Sequence, residues 1–292
     1  MIATVAHVTK TFGPLTALNL VSMSVERGTV HGLVGPNGAG KTTLLSLLAR
    51  LSTPTSGSVE VAAASLGVLP DTPLFDKWLT GREVVDMALH LSDTEHAPSR
   101  VDEVLEVVGL DKDKGRRVRG YSRGMLQRLG LAATFVTEPE LLLLDEPAAA
   151  LDPLGRREVL DLLGDLRGTS TVIFSSHILD DVQEVCDTIG ILSAGNLVYE
   201  GSLDHLLSTT STETRYAIEV RSGAKDLALI LADQPWVTSS EAKGDTDVVI
   251  SGPDRNTLEQ QLIPLLAPLP YTVIGVLPVR RSLEDVFLEV TG

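Results

Sequence analysis

A single cysteine, Cys186, stands in 292 residues. A lone thiol closes no internal disulfide and builds no multi-cysteine metal site, which fits a reducing cytosol. Aromatic residues make up only 4% of the chain. Basic side chains are scarce: 24 Lys and Arg face 39 Asp and Glu, a formal charge of −15. That balance argues against nucleic acid or anionic lipid as the main partner, because phosphates are held by a Lys/Arg excess. No uncharged apolar run approaches the roughly 18 residues of a membrane span. The opening MIATVAHVTK reaches polar residues too early for a secretory leader. These absences predict a soluble, cytosolic chain. What is present is an ordinary globular composition, 43% hydrophobic, long enough for about two domains of roughly 150 residues each.

Patterning divides the chain. Segments 2–9 and 23–28 read as strands, and TVHGLVG (29–35) as a short buried parallel strand. A Gly-rich loop follows, then KTTLLSLLARL (41–51), apolar at helical spacing. SVEVAAA and LGVLP (58–70) again read as strands. Residues 81–136 change to amphipathic helices, with Val101, Val104, Leu105 and Val108 on one face. Strand patterns resume at ELLLLDEP (140–147) and TVIFSSH (171–177), with a Gly-bounded helix between them. TIGILS and NLVYEG (188–201) read as a hairpin around Ala194-Gly195-Asn196. The Ser/Thr-rich stretch 208–214 is the expected linker. Beyond it the pattern is β-α-β-β-α-β plus a final helix, a ferredoxin-like candidate.

GPNGAGKTT (35–43) fits the phosphate-loop spacing G-x-x-x-x-G-K-[ST], through Gly35, Pro36, Asn37, Gly38, Ala39, Gly40, Lys41, Thr42 and Thr43. Glycines let successive N–H groups turn toward phosphate oxygens, and the following helix adds its positive end. Lys41 neutralises phosphate charge, the Thr42 hydroxyl suits Mg²⁺, and Thr43 can donate to a phosphate. The apolar strand and periodic helix that the motif requires flank it. LLLLDEP (141–147) supplies the complement, an apolar strand ending in Asp145 and Glu146. Asp145 suits Mg²⁺, and Glu146 suits a general base on an attacking water.

Together these motifs resemble the ATP-binding subunits of ABC transporters. Tyr121-Ser122-Arg123-Gly124-Met125 lies where that family carries its LSGGQ signature. It keeps Ser122 and Gly124, and its form resembles that of type 2 exporters of the daunorubicin-resistance kind. Read without the family, the segment is a helix start with Ser122 as N-cap. Ala150-Leu151-Asp152-Pro153 resembles the loop that crosses the family's dimer interface. His177 resembles the switch histidine, and Phe12 the aromatic that stacks on adenine. The other histidines (His7, His31, His90, His96 and His205) have no such context. Asp71 takes a position where the family has Gln, or Glu in many exporter ATPases. Asp is one methylene shorter than Glu and cannot donate as Gln does. RRSLEDVFLEVTG (280–292) resembles the closing helix of type 2 exporter ATPases.

The resemblance implies an α/β fold: a P-loop cassette with a RecA-like core over residues 1–207 and a helical subdomain over about 75–136. The extension 215–292 is the α+β domain. It also implies ATP and Mg²⁺ as cofactors, with Glu146 and His177 catalytic. Phe12, residues 35–43, Ser122, Gly124 and Asp152 contact nucleotide; Thr42, Asp145 and Asp71 serve the metal. The implied partners are a second ATPase subunit, identical or not, and a separate transmembrane permease, docked near Asp71–Trp78 on the inner face of the membrane. No nucleic acid and no lipid insertion are expected. Two other readings stand beside this one: a soluble ABC-type ATPase without a permease, and a nucleotide-dependent regulator whose C-terminal domain senses a ligand.

Overall fold

The computed structural model describes residues 1–92, 99–209, 214–279, 283–284 and 286–287. In chain order the elements begin with β1 (Ala3–Phe12), β2 (Leu15–Val25), β3 (Val30–Val34), α1 (Lys41–Leu48), β4 (Ser56–Val61) and β5 (Leu66–Leu69). Then come α2 (Gly81–His90), α3 (Arg100–Val107), α4 (Arg123–Phe135), β6 (Leu141–Leu144), α5 (Pro153–Asp165), β7 (Thr171–Ser176) and α6 (Leu179–Val185). The order ends with β8 (Thr188–Ser193), β9 (Asn196–Ser202), α7 (Leu203–Thr209), β10 (Thr214–Val220), α8 (Ala224–Ala232), β11 (Ser239–Lys243), β12 (Asp247–Gly252), α9 (Arg255–Leu266) and β13 (Val273–Val279). The chain forms two compact units, Met1–Leu203 and a second that begins at Asp204.

The first unit is built on a six-stranded sheet in the order β5-β6-β7-β3-β8-β9. The first five strands run parallel, and β9 returns antiparallel. Every residue of β3, β6 and β7 is buried. A parallel strand covered on both faces is mostly apolar rather than alternating, which is why VIF and LLLL lack a polar side. The β8–β9 hairpin turns on Ala194 and Gly195, both at positive φ (45° and 80°), the two-residue geometry that matches strand twist. An antiparallel sheet β2-β1-β4 lies apart from it in pairing. A core of Ile2, Val5, Leu18, Leu44, Leu47, Leu48, Leu143 and Ile173 joins the two sheets around α1.

Helices α2, α3 and α4 pack on one another. A reciprocal capping box starts α2, with Thr80 accepting from the Glu83 N–H and the Glu83 carboxylate accepting from the Thr80 N–H. Strand β2 is longer than its sequence suggested. It pairs from Leu15 opposite Phe12 across the Gly13-Pro14 turn, so the expected strand at 23–28 is only its far end. Helix α6 also lacked a sequence prediction; seven residues are too few for a clear period.

In the second unit the sheet order is β11-β12-β10-β13, all neighbours antiparallel. This is the ferredoxin-like arrangement expected from the β-α-β-β-α-β pattern. Ile218, Val220, Leu227, Leu231, Ile250, Leu258 and Leu262 form its core. Helix α7 continues to Thr209 and β10 starts at Thr214, so both ends of the expected 208–214 linker belong to regular elements. Residues 210–213 lie outside the described residues. Most of the expected closing helix does too, though Leu283 and Val286 are buried.

Candidate active site

Strand β3 delivers the chain to the phosphate loop. Gly35 is buried against the hairpin, and a Cβ there would run into the Leu192 carbonyl. Gly40 sits at φ 108°, and a Cβ on it would lie 2.7 Å from the Ala17 carbonyl oxygen. Only glycine takes that position without strain. Gly40 is also the N-cap of α1, and no side chain caps the helix. Its first N–H groups therefore stay available to an anion, reinforced by the helix dipole. The Lys41 side chain is buried and folds back. Its ammonium donates to the Gly35 carbonyl at 2.6 Å and the Pro36 carbonyl at 3.4 Å.

Strand β6 delivers the acidic pair. Asp145 is buried, and its Oδ1 accepts the Ser175 hydroxyl proton at 2.5 Å. Glu146 follows at φ 49°, in the left-handed region. The Glu146 N–H donates to the same Ser175 oxygen at 2.9 Å, and the Glu146 carbonyl accepts from Gln127 Nε2 at 3.3 Å. The carboxylate reaches His177 Nδ1 at 2.8 Å through Oε2 and lies 3.6 Å from Lys41 Nζ through Oε1.

These residues open onto one cleft of about 1020 Å³, lined by Phe12, Pro36 through Thr43, Pro70, Asp71, Asp145, Glu146 and His177 among others. Its size suits a nucleotide-sized ligand. Phe12 is half exposed at its edge, with Lys10 Nζ 4.9 Å from the ring centroid. Asp71 is exposed and accepts from the Thr72 hydroxyl at 3.3 Å. Four of the expected site residues lie outside the cleft lining: Gly35, Ser122, Gly124 and Asp152. Ser122 caps α4 by accepting from the Met125 N–H at 3.2 Å. Asp152 caps α5 by accepting from the Gly155 N–H at 2.9 Å. Both are exposed, and the N-cap reading of Ser122 holds.

The donor set suits Mg²⁺ carried in with phosphates. Among the described residues, no three His, Cys, Asp or Glu side chains converge to hold a metal unaided. Mg²⁺ is commonly held by one or two carboxylates, with substrate phosphates and water completing its shell. Asp145, steadied by Ser175 through Oδ1, and the exposed Thr42 hydroxyl provide such a half-site.

A family model described as ABC transporter matches residues 18–149. The chain is 36% identical over 307 residues to the daunorubicin resistance ATP-binding protein DrrA3 of Streptomyces coeruleorubidus, covering 99% of this chain and 95% of that one. The chain belongs to the ABC transporter family. It is likewise 35% identical to the bacitracin transport ATP-binding protein BcrA of Enterococcus faecalis, over 82% of this chain and 81% of that protein. Among solved structures, an ATP-binding subunit of an ABC transporter superposes with a TM-score of 0.67 at 25% identity, covering 72% of this chain and 93% of that one. A dimeric ABC cassette, MJ0796, bound to ADP and Pi, shares the fold with a TM-score of 0.64 at 23% identity, over 69% of this chain and 98% of that one. The activity of this ABC protein is ATP binding and hydrolysis, and no helix among its described residues is long and apolar enough to cross a membrane.

Sequence reasoning missed Ser175 and Gln127. Ser175 sits two residues before His177 at the polar end of a strand whose centre is apolar, a polar residue where burial demands a partner. That was the readable signal. Gln127 carried none, because an amide on an amphipathic helix reads as a surface residue until the fold buries it. His31, which the sequence assigned no role, is fully buried, donating to or accepting from Thr188 Oγ1 at 2.8 Å. Burial lowers its pKa to about 4.

Proposed function

We propose that this ATPase powers export of a substrate through a separate permease, two ATPase subunits enclosing two ATP between them. One observation carries the reading: Ser122 and Gly124 sit at the exposed start of α4, outside the cleft of their own chain. An N-terminal amide cluster suits a γ-phosphate, so the phosphate that Ser122 and Gly124 meet is one held by a second subunit. ATP touches both subunits only when they close, and that differential contact lets it shift the open–closed equilibrium.

In the proposed reaction, Glu146 accepts a proton from water as its oxygen attacks the γ-phosphorus and the bond to the β–γ bridging oxygen breaks, giving ADP and phosphate. His177 orients the Glu146 carboxylate through the 2.8 Å contact. Lys41 and the loop amides spread the negative charge, which is where most of the acceleration arises. Mg²⁺, when bound, would neutralise phosphate charge; Thr42 and Asp145 are the residues that would hold it, and Asp71 borders the same space. Phe12 stacks on the adenine, and Asp152 orders the loop that meets the second subunit.

The permease docks beside the cleft. A groove of about 710 Å³ lies between β5, α2 and α4, lined by Val68, Pro73, Leu74, Phe75, Ala88, Leu91 and Gly130. Leu74 is 88% exposed and Trp78 65%. Apolar side chains this open, next to Asp71, suit an apolar helix of the permease better than water. The named relatives are a daunorubicin resistance and a bacitracin transport protein, which supports export. The experiment is co-purification from membranes with a co-expressed candidate permease of about six apolar spans, comparing wild type with Leu74→Asp. Loss of the permease with basal ATPase retained supports the reading. Equal recovery of the permease by both proteins refutes this docking surface.

A further inference from the structure

The main chain of Glu146 is held at both of its peptide groups by side chains. Its N–H donates to Ser175 on β7 at 2.9 Å, and its carbonyl accepts from Gln127 on α4 at 3.3 Å as well as from the Ala149 N–H of its own turn at 3.2 Å. Both side chains are buried, Ser175 at 0% and Gln127 at 1% exposure. Between the two contacts Glu146 sits at φ 49°, a conformation that L-residues other than Asn and Asp leave unless the surroundings fix it. Rotating out of that region would turn the carboxylate away from His177 Nδ1 and Lys41 Nζ, at 2.8 and 3.6 Å. Ser175 does a second job with the same oxygen, donating to Asp145 Oδ1.

We propose that Gln127 and Ser175 are positioning residues that clamp Glu146 in its left-handed, hydrolytic geometry, and that Gln127 ties this clamp to the start of α4. The second half rests on the two-subunit reading above. Gln127 lies five residues beyond Ser122, the N-cap of the same helix. A helix turn and a half is rigid on this scale. A phosphate contact made at Ser122 and Gly124 by one subunit's nucleotide therefore reaches the Glu146 that hydrolyses the other. Ser175 supplies the fixed half of the clamp, from the central sheet, and Gln127 the half that moves with α4.

The test uses the full chain carrying Gln127→Met, which keeps length and volume but loses the donor, and Ser175→Ala as an independent second variant. The expected result is a fall in kcat of about three- to tenfold, what losing one neutral hydrogen bond is worth, with KM for ATP within about twofold. A fluorescent-nucleotide titration without Mg²⁺ should show unchanged affinity. In single-turnover phosphate release, adding either substitution to Glu146→Gln should cause no further fall, because the clamp has no base left to position. A merely structural role predicts the opposite: the same loss in both backgrounds. That outcome, or an unchanged kcat in a folded Gln127→Met protein, overturns the clamp. The Hill coefficient for ATP judges the tie to α4. It should drop toward one in Gln127→Met, and an unchanged value above one refutes the tie. A wild type with neither ATP-dependent dimerisation nor cooperativity refutes the two-subunit reading and the tie with it, while the kcat comparison still decides the clamp.

Discussion

Replacing Lys41 with Met removes one charge from a side chain only 6% exposed. The ammonium donates to the Gly35 carbonyl at 2.6 Å and lies 3.6 Å from Glu146 Oε1, so it sits where loop and acidic strand meet. At that separation two unit charges interact by about 5 kcal/mol in a medium of effective dielectric near 20. The net value is smaller, because Lys41 exchanges these partners for phosphate oxygens rather than coming from vacuum. A charge-assisted hydrogen bond is worth about 1.5–3 kcal/mol net. Taking about 2–3 kcal/mol, at about 1.4 kcal/mol per tenfold, gives a loss of affinity of roughly 30- to 150-fold. Met fills similar volume, so the fold should persist, although the Gly35 carbonyl loses its donor. The assay is a fluorescent ATP-analogue titration at fixed ionic strength, with thermal melting as control for folding. A folded Lys41→Met protein whose affinity changes by less than about threefold would refute the phosphate-loop reasoning.

Asp71→Ala should reduce permease-stimulated ATPase more than the basal rate of the isolated subunit; equal loss in both would make Asp71 a plain metal ligand, and no loss in either would remove it from the site. His31 predicts a pH dependence of stability. Its folded pKa of about 4 lies below the unfolded value of 6.5, so between those values the unfolded chain binds the proton and the folded one does not. Stability from this group is therefore intact above about pH 6.5 and falls as pH drops toward 4, by about 3 kcal/mol in all at about 1.4 kcal/mol per pKa unit. His31→Asn should flatten that part of the curve in denaturant titrations at pH 7, 6 and 5, and parallel curves for the two proteins would contradict it.

The parallel strands and the phosphate loop were legible because burial on both faces forces continuous apolar runs and because Gly40 and Lys41 serve chemistry that few other residues can. The C-terminal sheet was legible from element order alone, since β-α-β-β-α-β with short connections allows few topologies. The start of β2 was not, because its burial alternates imperfectly from Leu15. From its residues Ser122 was legible as a cap, and through the resemblance as a nucleotide contact; that it lies outside the cleft lining of its own chain is a tertiary fact. Ser175 and Gln127 escaped for the same reason. They act through the main chain of Glu146, and no spacing rule encodes which side chain will satisfy a distant peptide group.

In the proposed reaction Glu146 hydrolyses ATP enclosed between two subunits. Glu146→Gln keeps the side chain's shape beside His177 and Lys41 while removing the base. Size-exclusion chromatography of this variant with ATP and Mg²⁺ tests the claim most directly. The expected outcome is retained ATP binding, turnover reduced by about a hundredfold or more, and elution as a dimer that reverts to monomer when ATP is removed. A Glu146→Gln protein that binds ATP yet elutes only as a monomer would contradict it.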